Sequence, residues 1–279
     1  PGIETAYDLA QQLRYFSERD ARNYQNWTSF WEQAAGILQP YFLSDPPTLA
    51  DLMGDVRGTK REEVLEKMLT WSMMDITHHY FEDDRVRAHF LGIPESDPSA
   101  PGSIMSNAYF KTSQFARRED TGIPRGSMGA ISMALANSAA SAGVEIRTGT
   151  VVTELIVENG EARGVRLANN EEISGFIVVS NADPIRTFTT LVKPGDIGED
   201  LIRKVGDWKT VAGCVKFLAA LKEPPDFSRY LGDTYDRDGI VTVNICPSVE
   251  YFQKSWDDAQ AGRLTDSPLM HIQMPSIVD

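Results

Sequence analysis

The chain has 279 residues, 42% of them hydrophobic, which is enough to bury one large core or two ordinary ones and argues against disorder. Its formal net charge is −13, from 27 Lys and Arg against 40 Asp and Glu, with no tight basic cluster. No nucleic-acid partner is therefore expected, because such binding is driven by cations neutralising phosphates.

The opening PGIETAYDLA lacks Met and the end MHIQMPSIVD is an apolar, strand-like run, so the chain is expected to be an internal piece of something longer. It shows no run of 18 apolar residues and no charged-then-apolar start, so neither a membrane span nor an export signal is expected. The first hundred or so residues read as helical. Ser17, followed three positions later by Asp20, resembles a cap for a helix through ARNYQNWTSFWEQAAGILQ. Tyr24, Trp27, Trp31, Ala34 and Leu38 recur on one face of it, which must be buried. Pro46-Pro47 ends that unit. A second helix is predicted from Thr59, with Glu62 completing a capping box and Leu65, Met68, Leu69, Ser72 and Ile76 on its apolar face. Met and aromatic side chains in both helices suit an ordinary core or the wall of an apolar substrate cavity, and the residues alone leave both readings open.

From Gly92 to Ser106, GIPESDPSAPGSIMS predicts a loop or domain crossing. Residues 129 to 142 then predict a helix of small residues, closed by Gly143 at its C-terminal cap. Strand-like runs follow in VEIRT, TVVTELIVE and EARGVRL. Asn159-Gly160 between the last two predicts a two-residue hairpin, because both central positions of that turn require positive φ. The continuously apolar Phe176-Ile177-Val178-Val179 predicts a central strand covered on both faces. The remainder predicts strands in VAGCVKFLAAL, GIVTVNIC and PLMHIQM and a helix in SVEYFQKSWDDAQAG.

Most familiar chemistries find no constellation here. Adjacent His78 and His79 point about 100° apart on a helix and cannot grip one metal together, and with only His89 and His271 besides, no zinc site is expected. Cys214 and Cys246 stand far apart in apolar runs and read as buried thiols. No GxSxG occurs, and Ser127 in RGSMG lacks a strand-turn-helix elbow, which disfavours a hydrolase. The stretch GIPRGSMGAISMALANSAASAG is not the dinucleotide fingerprint either, since no strand precedes it and Gly126 and Gly129 are spaced GxxG. Those glycines and Ala130, Ala134, Ala139 and Ala142 do make a thin helix with a close-approach turn, with Met128, Ile131 and Leu135 as a narrow apolar stripe. Taken alone, this suits close helix-sheet packing as well as a flat ligand.

The succession GSMGAISMALANSAASAGVEIRTGTVVTELIVENGEARGVRLANNEEISGFIVVSNADPIRTF resembles the phytoene desaturase-like flavoprotein oxidoreductases. Their pattern is a Gly-Gly-Met-Gly turn, a helix, a strand, a hairpin ending in GVxL and a strand closing in VxSNADP. Within that family it is similar to the branch of pyridine nucleotide-disulfide oxidoreductase domain-containing protein 2, with SERDARNYQNWTSFWEQAAGIL, PSAPGS and FQKSWDDAQAGRLTDSPLMHIQMPSIVD agreeing outside the core match. The resemblance implies a mixed α/β (α+β) fold: a substrate domain with helices and a mixed sheet, and a hairpin or meander segment of an FAD domain. It divides the chain into a helical part of the substrate domain (1–121), an FAD-domain segment (122–185) and the sheet part of the substrate domain (186–279).

The resemblance also implies FAD as cofactor and hydride transfer from an apolar small-molecule substrate to the flavin. It places Gly126, Ser127, Met128 and Gly129 near the flavin side, Val152 at the adenine through its backbone, and Ser180, Asn181 and Ala182 at the strand end, with Asp183-Pro184 opening the crossover. Ser127 departs from the family's second glycine. The family's N-terminal GxGxxG strand and C-terminal glycine-rich flavin segment have no counterpart here. The expectation is therefore an oxidoreductase parent and a piece that by itself binds FAD weakly or not at all. The alternative is a non-catalytic lipid- or partner-binding module keeping the substrate-domain shape. No catalytic acid or base is named. A peripheral membrane contact, a homo-oligomer and an intracellular site, mitochondrial in a eukaryote, are compatible with the resemblance.

Overall fold

The computed structural model describes residues 5–92, 97–116, 124–208, 215–232 and 240–277. Contacts divide the chain into two compact units, Pro1–Ser127 with Val211–Asp279, and Met128–Thr210. The architecture is mixed helix and sheet, as expected.

The first unit is built on helices α1 (Thr5–Leu13), α2 (Glu18–Leu38), α3 (Leu49–Val56), α4 (Arg61–Thr70), α5 (Met73–Tyr80), α6 (Asp84–Phe90) and α7 (Ser103–Ala116). Ser17 is the cap of α2, its hydroxyl accepting the N–H groups of Arg19 and Asp20 at 3.1 Å each. The apolar face of α2 is the centre of the core: Trp27, Trp31, Ala34 and Leu38 are buried, with Phe30 beside them. Trp27 meets Trp31, Tyr80, Phe81 and Phe90 at ring-centroid distances of 5.2–5.8 Å. These rings, with Met68, Met73 and Ile76, fill one another's space, so the Met and aromatic content is core packing.

The second predicted helix is two. A continuous helix would carry its stripe through Ser72, but Ser72 turns extended (φ −92, ψ 167) and caps α5, exchanging bonds with Asp75 in a reciprocal capping box. At the start of α4 the expected box is not reciprocal: Thr59 Oγ1 accepts from Arg61 N–H, while Glu62 reaches back to the N–H of Gly58 at 2.8 Å. The loop expected up to Ser106 ends sooner, because Ser103 begins α7, whose Ile104 and Ala108 are buried against the core.

Helix α8 (Ser127–Ser141) and helices α9 (Pro184–Arg186) and α10 (Glu199–Gly206) belong to the second unit. Its sheet has strands β1 (Val152–Glu158), β2 (Glu161–Leu167) and β3 (Glu172–Ser174), antiparallel and in the order β1-β2-β3. The hairpin is the predicted one, with Asn159 at φ 53 and Gly160 at φ 78. Leu155, Leu191 and Val192 form a small core with Val157, Val165, Val178, Phe188 and Ile197 around it. Glu154 lies under Arg166 and Lys193, and its bond from Lys193 Nζ (2.6 Å) is the main cause that holds its carboxyl below the usual range.

Two expectations fail in this unit, the strand in VEIRT and the central strand at Phe176–Val179. VEIRT is not a strand; Val144 and Ile146 are half exposed. Helix α8 ends as foreseen, with Gly143 at φ 84 and Val144 N–H returning to Ala139 O, but it buries none of its side chains. The run Phe176–Val179 is no central strand: Phe176, Ile177 and Val179 are 83–101% exposed, and Val178 alone reaches the small core. A strand covered on both faces needs a neighbouring strand to take its N–H and C=O groups. Among the described residues, β3 ends the sheet before this run and none lies beside it.

Back in the first unit, helix α11 (Ser228–Leu231) precedes strands β4 (Thr242–Ile245) and β5 (Met270–Gln273), which pair antiparallel and flank helix α12 (Val249–Gln260). GIVTVNIC and PLMHIQM thus supply strands as expected. In VAGCVKFLAAL, residues 211–214, Cys214 among them, lie outside the described residues, and Val215, Phe217, Leu218 and Leu221 are exposed and not in a strand. Cys246 is half-buried, and desolvation pushes its thiol up to about 11, which keeps it protonated and unreactive near neutrality.

Helix α12 buries Phe252 and Trp256 and holds Asp258 between Lys254 (2.7 Å) and Arg263 (2.6 Å). The bond from Lys254 leads the causes that depress the Asp258 carboxyl well below the usual range. A depressed folded-state value adds stability that is present above the unfolded pKa and is lost as pH falls through the folded one. Asp258→Asn should accordingly flatten the acid limb of the stability profile, measured by urea unfolding at pH 7 and at successively lower pH, and change least at the acid end.

Candidate cofactor site

The second unit carries a cleft of about 480 Å³ lined by Thr150, Val151, Val152, Ala182, Asp183, Arg186 and Leu191. Two chain segments make it. One is the entry to β1; the other is the turn into α9, which continues as one π-helical turn, Thr187–Leu191. Asp183 caps that turn, its Oδ1 accepting Arg186 N–H at 3.0 Å, and Pro184 follows at the first helical position, where no N–H is needed. Ser180 and Thr187 join hydroxyls at 2.9 Å, tying the segment before the turn to the helix after it.

Strand β1 is an edge of its sheet. Opposite Val152, Leu167 gives its N–H to Glu171 O, while Val151 O receives Ala168 N–H, both at 2.9 Å. Val152 and Leu167 are thus a non-hydrogen-bonded pair, and the N–H and C=O of Val152 face out of the sheet edge. An irregularity in register between Val152 and Glu154 aims this end of the strand. An outward donor and acceptor on one residue, beside the apolar side chains of Val151 and Leu191, match the hydrogen-bonding edge of a flat heterocycle such as adenine. A cleft of this size is within the range of small-ligand sites.

Of the eight residues expected at the cofactor, the structure brings Val152 and Ala182 together in the cleft, with Ser180 and Asn181 just before Ala182 in sequence. Gly126, Ser127, Met128 and Gly129 do not line it. They form a turn in which Ser127 N–H returns to Pro124 O at 3.0 Å, Gly126 has φ 81 and Ser127 has φ 64. Ser127, where the resembling family has glycine, thus occupies the left-handed region that glycine favours. An L-residue there costs roughly 1–2 kcal/mol, part of which the looser unfolded state of glycine takes back. Ser127→Gly should therefore raise the melting temperature by a few degrees, for about 1 kcal/mol or less of added stability; a lower value would contradict the strain.

Thr150, Arg186 and Leu191 were not legible as site residues. Their only signal is position: Thr150 lies two residues before Val152, and Arg186 and Leu191 lie two and seven residues past SNADP.

No family model matches the chain. It is 28% identical over 300 aligned residues to the pyridine nucleotide-disulfide oxidoreductase domain-containing protein 2 of Mus musculus, covering 96% of this chain and 51% of that protein. It is 25% identical over 207 residues to the zeta-carotene-forming phytoene desaturase of Myxococcus xanthus, covering 72% of this chain and 35% of that one. A shorter stretch of 71 residues, 25% of this chain and 14% of the relative, is 41% identical to a 4,4'-diapophytoene desaturase of Methylomonas sp. The chain is homologous to proteins named pyridine nucleotide-disulfide oxidoreductase domain-containing protein 2 and to phytoene desaturases. It spans about half the length of the pyridine nucleotide-disulfide oxidoreductase domain-containing relatives that it matches nearly throughout. No described helix is long and apolar enough to cross a membrane.

Proposed function

We propose that the cleft of the second unit holds the adenine end of FAD, and that the whole protein is an FAD-dependent oxidoreductase acting on an apolar substrate. The observation that carries the reading is the outward-facing N–H and C=O of Val152 at an open strand edge, walled by Val151 and Leu191. The carotenoid-desaturase names of several relatives support an apolar substrate. Bound FAD would supply the redox chemistry by accepting a hydride from that substrate.

This chain's own residues bind and orient. Val152 offers its backbone to the adenine edge, and Val151 and Leu191 keep water from the ring faces. Ala182, with no side chain beyond Cβ, leaves room for the ring, and the Ser180–Thr187 bond holds the segment leading to it. In the turn at Gly126–Gly129 the two glycines leave backbone that a flat ring can approach. No GxGxxG loop stands among these residues to cradle a diphosphate. On this reading the chain alone binds FAD weakly or not at all, and purification of it with stoichiometric flavin absorbance would overturn that statement.

Val152→Pro tests the adenine reading directly. Proline removes an N–H that no described strand uses, a change that sheet edges tolerate. The circular dichroism should stay as it is while adenosine affinity, followed by ligand-observed NMR, falls about tenfold, the worth of one hydrogen bond in a shielded cleft. Unchanged adenosine affinity would remove the reading.

A further inference from the structure

On helix α7 of the first unit, Ile104, Ala108 and Thr112 are buried, and Lys111 shares their face, three residues past Ala108 and seven past Ile104. A position that helical spacing assigns to the core thus carries a lysine. Its Nζ lies 5.2 Å from the centre of the indole ring of Trp31, itself part of the core. Lys67, Lys193, Lys204 and Lys254 each meet a carboxylate at 2.6–2.8 Å. For Lys111 neither a carboxylate nor an acceptor oxygen is found among the described residues, and burial lowers its pKa from the ordinary lysine value. The indole offers no acceptor either, because Trp31 Nε1 is a donor, buried and itself without a hydrogen-bond partner. A cation–π contact at this distance returns only part of the hydration that an ammonium loses.

We propose that Lys111 is a reactive amine site that captures an apolar aldehyde as an imine. An amine without its extra proton has a lone pair for a carbonyl carbon, whereas an ion-paired lysine holds its proton. The lone pair forms the C–N bond, and the carbonyl oxygen departs as water with the two hydrogens of the amine. No oxidant or reductant is consumed, and an aldehyde needs no leaving group beyond that water. The apolar side chains on this face, Trp31, Ile104 and Ala108, favour an apolar chain on the aldehyde. Once protonated, the imine is a cation that the face of the indole holds as it holds the ammonium. Lys111 is only partly buried, so a carbonyl can reach it from solvent. The site lies in the first unit and is independent of the cofactor reading.

The test incubates the full chain near neutral pH with octanal and cyanoborohydride, which reduces an imine to a stable secondary amine, and locates the modified lysines by peptide mass spectrometry. Lys111 should be modified several-fold faster than the exposed Lys60 and Lys222. That lead should shrink as the pH is raised to about 10, where ordinary lysines also lose their protons, and it should shrink when acetaldehyde replaces octanal. Lys111→Arg keeps a charge over Trp31 and should abolish the fast modification while leaving Lys60 and Lys222 as they are. Modification of Lys111 no faster than of those two overturns the reactive amine. A lead that does not change with pH traces it to access instead of a free lone pair and overturns it as well. A lead that is the same with acetaldehyde overturns the apolar class of the aldehyde.

Discussion

Asp20→Ala is expected to lower the stability of the first unit by about 2–3 kcal/mol, since two backbone donors lose a charged acceptor at once. Asp20 is fully buried on the first turn of α2, and its two carboxylate oxygens take the N–H of Glu82 (2.8 Å) and of Asp83 (3.1 Å). Those N–H groups sit at the corner where α5 ends and α6 begins, so one carboxylate fixes the crossing of elements some sixty residues apart in sequence. Alanine would leave both N–H groups of this part-buried corner without their carboxylate. Asp20→Asn keeps one acceptor oxygen and turns an amide donor toward the other N–H, so it should lose about half as much. Urea midpoints of the three proteins provide the check, and an alanine variant within 1 kcal/mol of wild type would show that the corner is held by the packing of Phe81 and Trp27 instead.

Gly164→Ala should break the sheet of the second unit. In β2, Gly164 lies opposite Ser174 of β3, and a Cβ there would overlap the carbonyl oxygen of Ile173. Backbone cannot swing aside as a flexible side chain would, so β3 must separate or β2 must slip, at about 3 kcal/mol. A slip would carry Val165, packed on the small core, and the buried Leu167 toward solvent and move Leu167 away from Val152. The loss should therefore be visible twice, as a lower melting temperature and as loss of adenosine binding. An alanine variant that melts with the wild type would mean that the β2–β3 pairing does not hold this unit together.

The glycine of GVRL illustrates what could be read in advance. As part of a motif it supports a resemblance, and the hairpin before it follows from Asn159-Gly160 and from alternating side chains. Why a glycine is needed there appears only when β3 lies against it, and β3 itself is too short and too polar to stand out. Val152 is similar: the motif marks it, but the direction of its N–H and C=O depends on the register with Leu167 and on the bond from Leu167 to Glu171.

Local chemistry decided the elements whose causes lie within a few residues. Ser17 caps α2, an indole stripe buries one face of it, Asn159-Gly160 closes the hairpin, Gly143 ends α8, and Ser248 opens α12. Each needs only a side chain or a φ angle within one turn. Tertiary structure decided where neighbours are distant in sequence: the break at Ser72, the reach of Asp20 to the α5–α6 corner, and a cleft joining residues 150–152 to 182–191. Phe176–Val179 shows the same division from the other side. Its apolar run marks a segment suited to burial on both faces, but a strand is made by the hydrogen bonds of its neighbours, and no described strand supplies them.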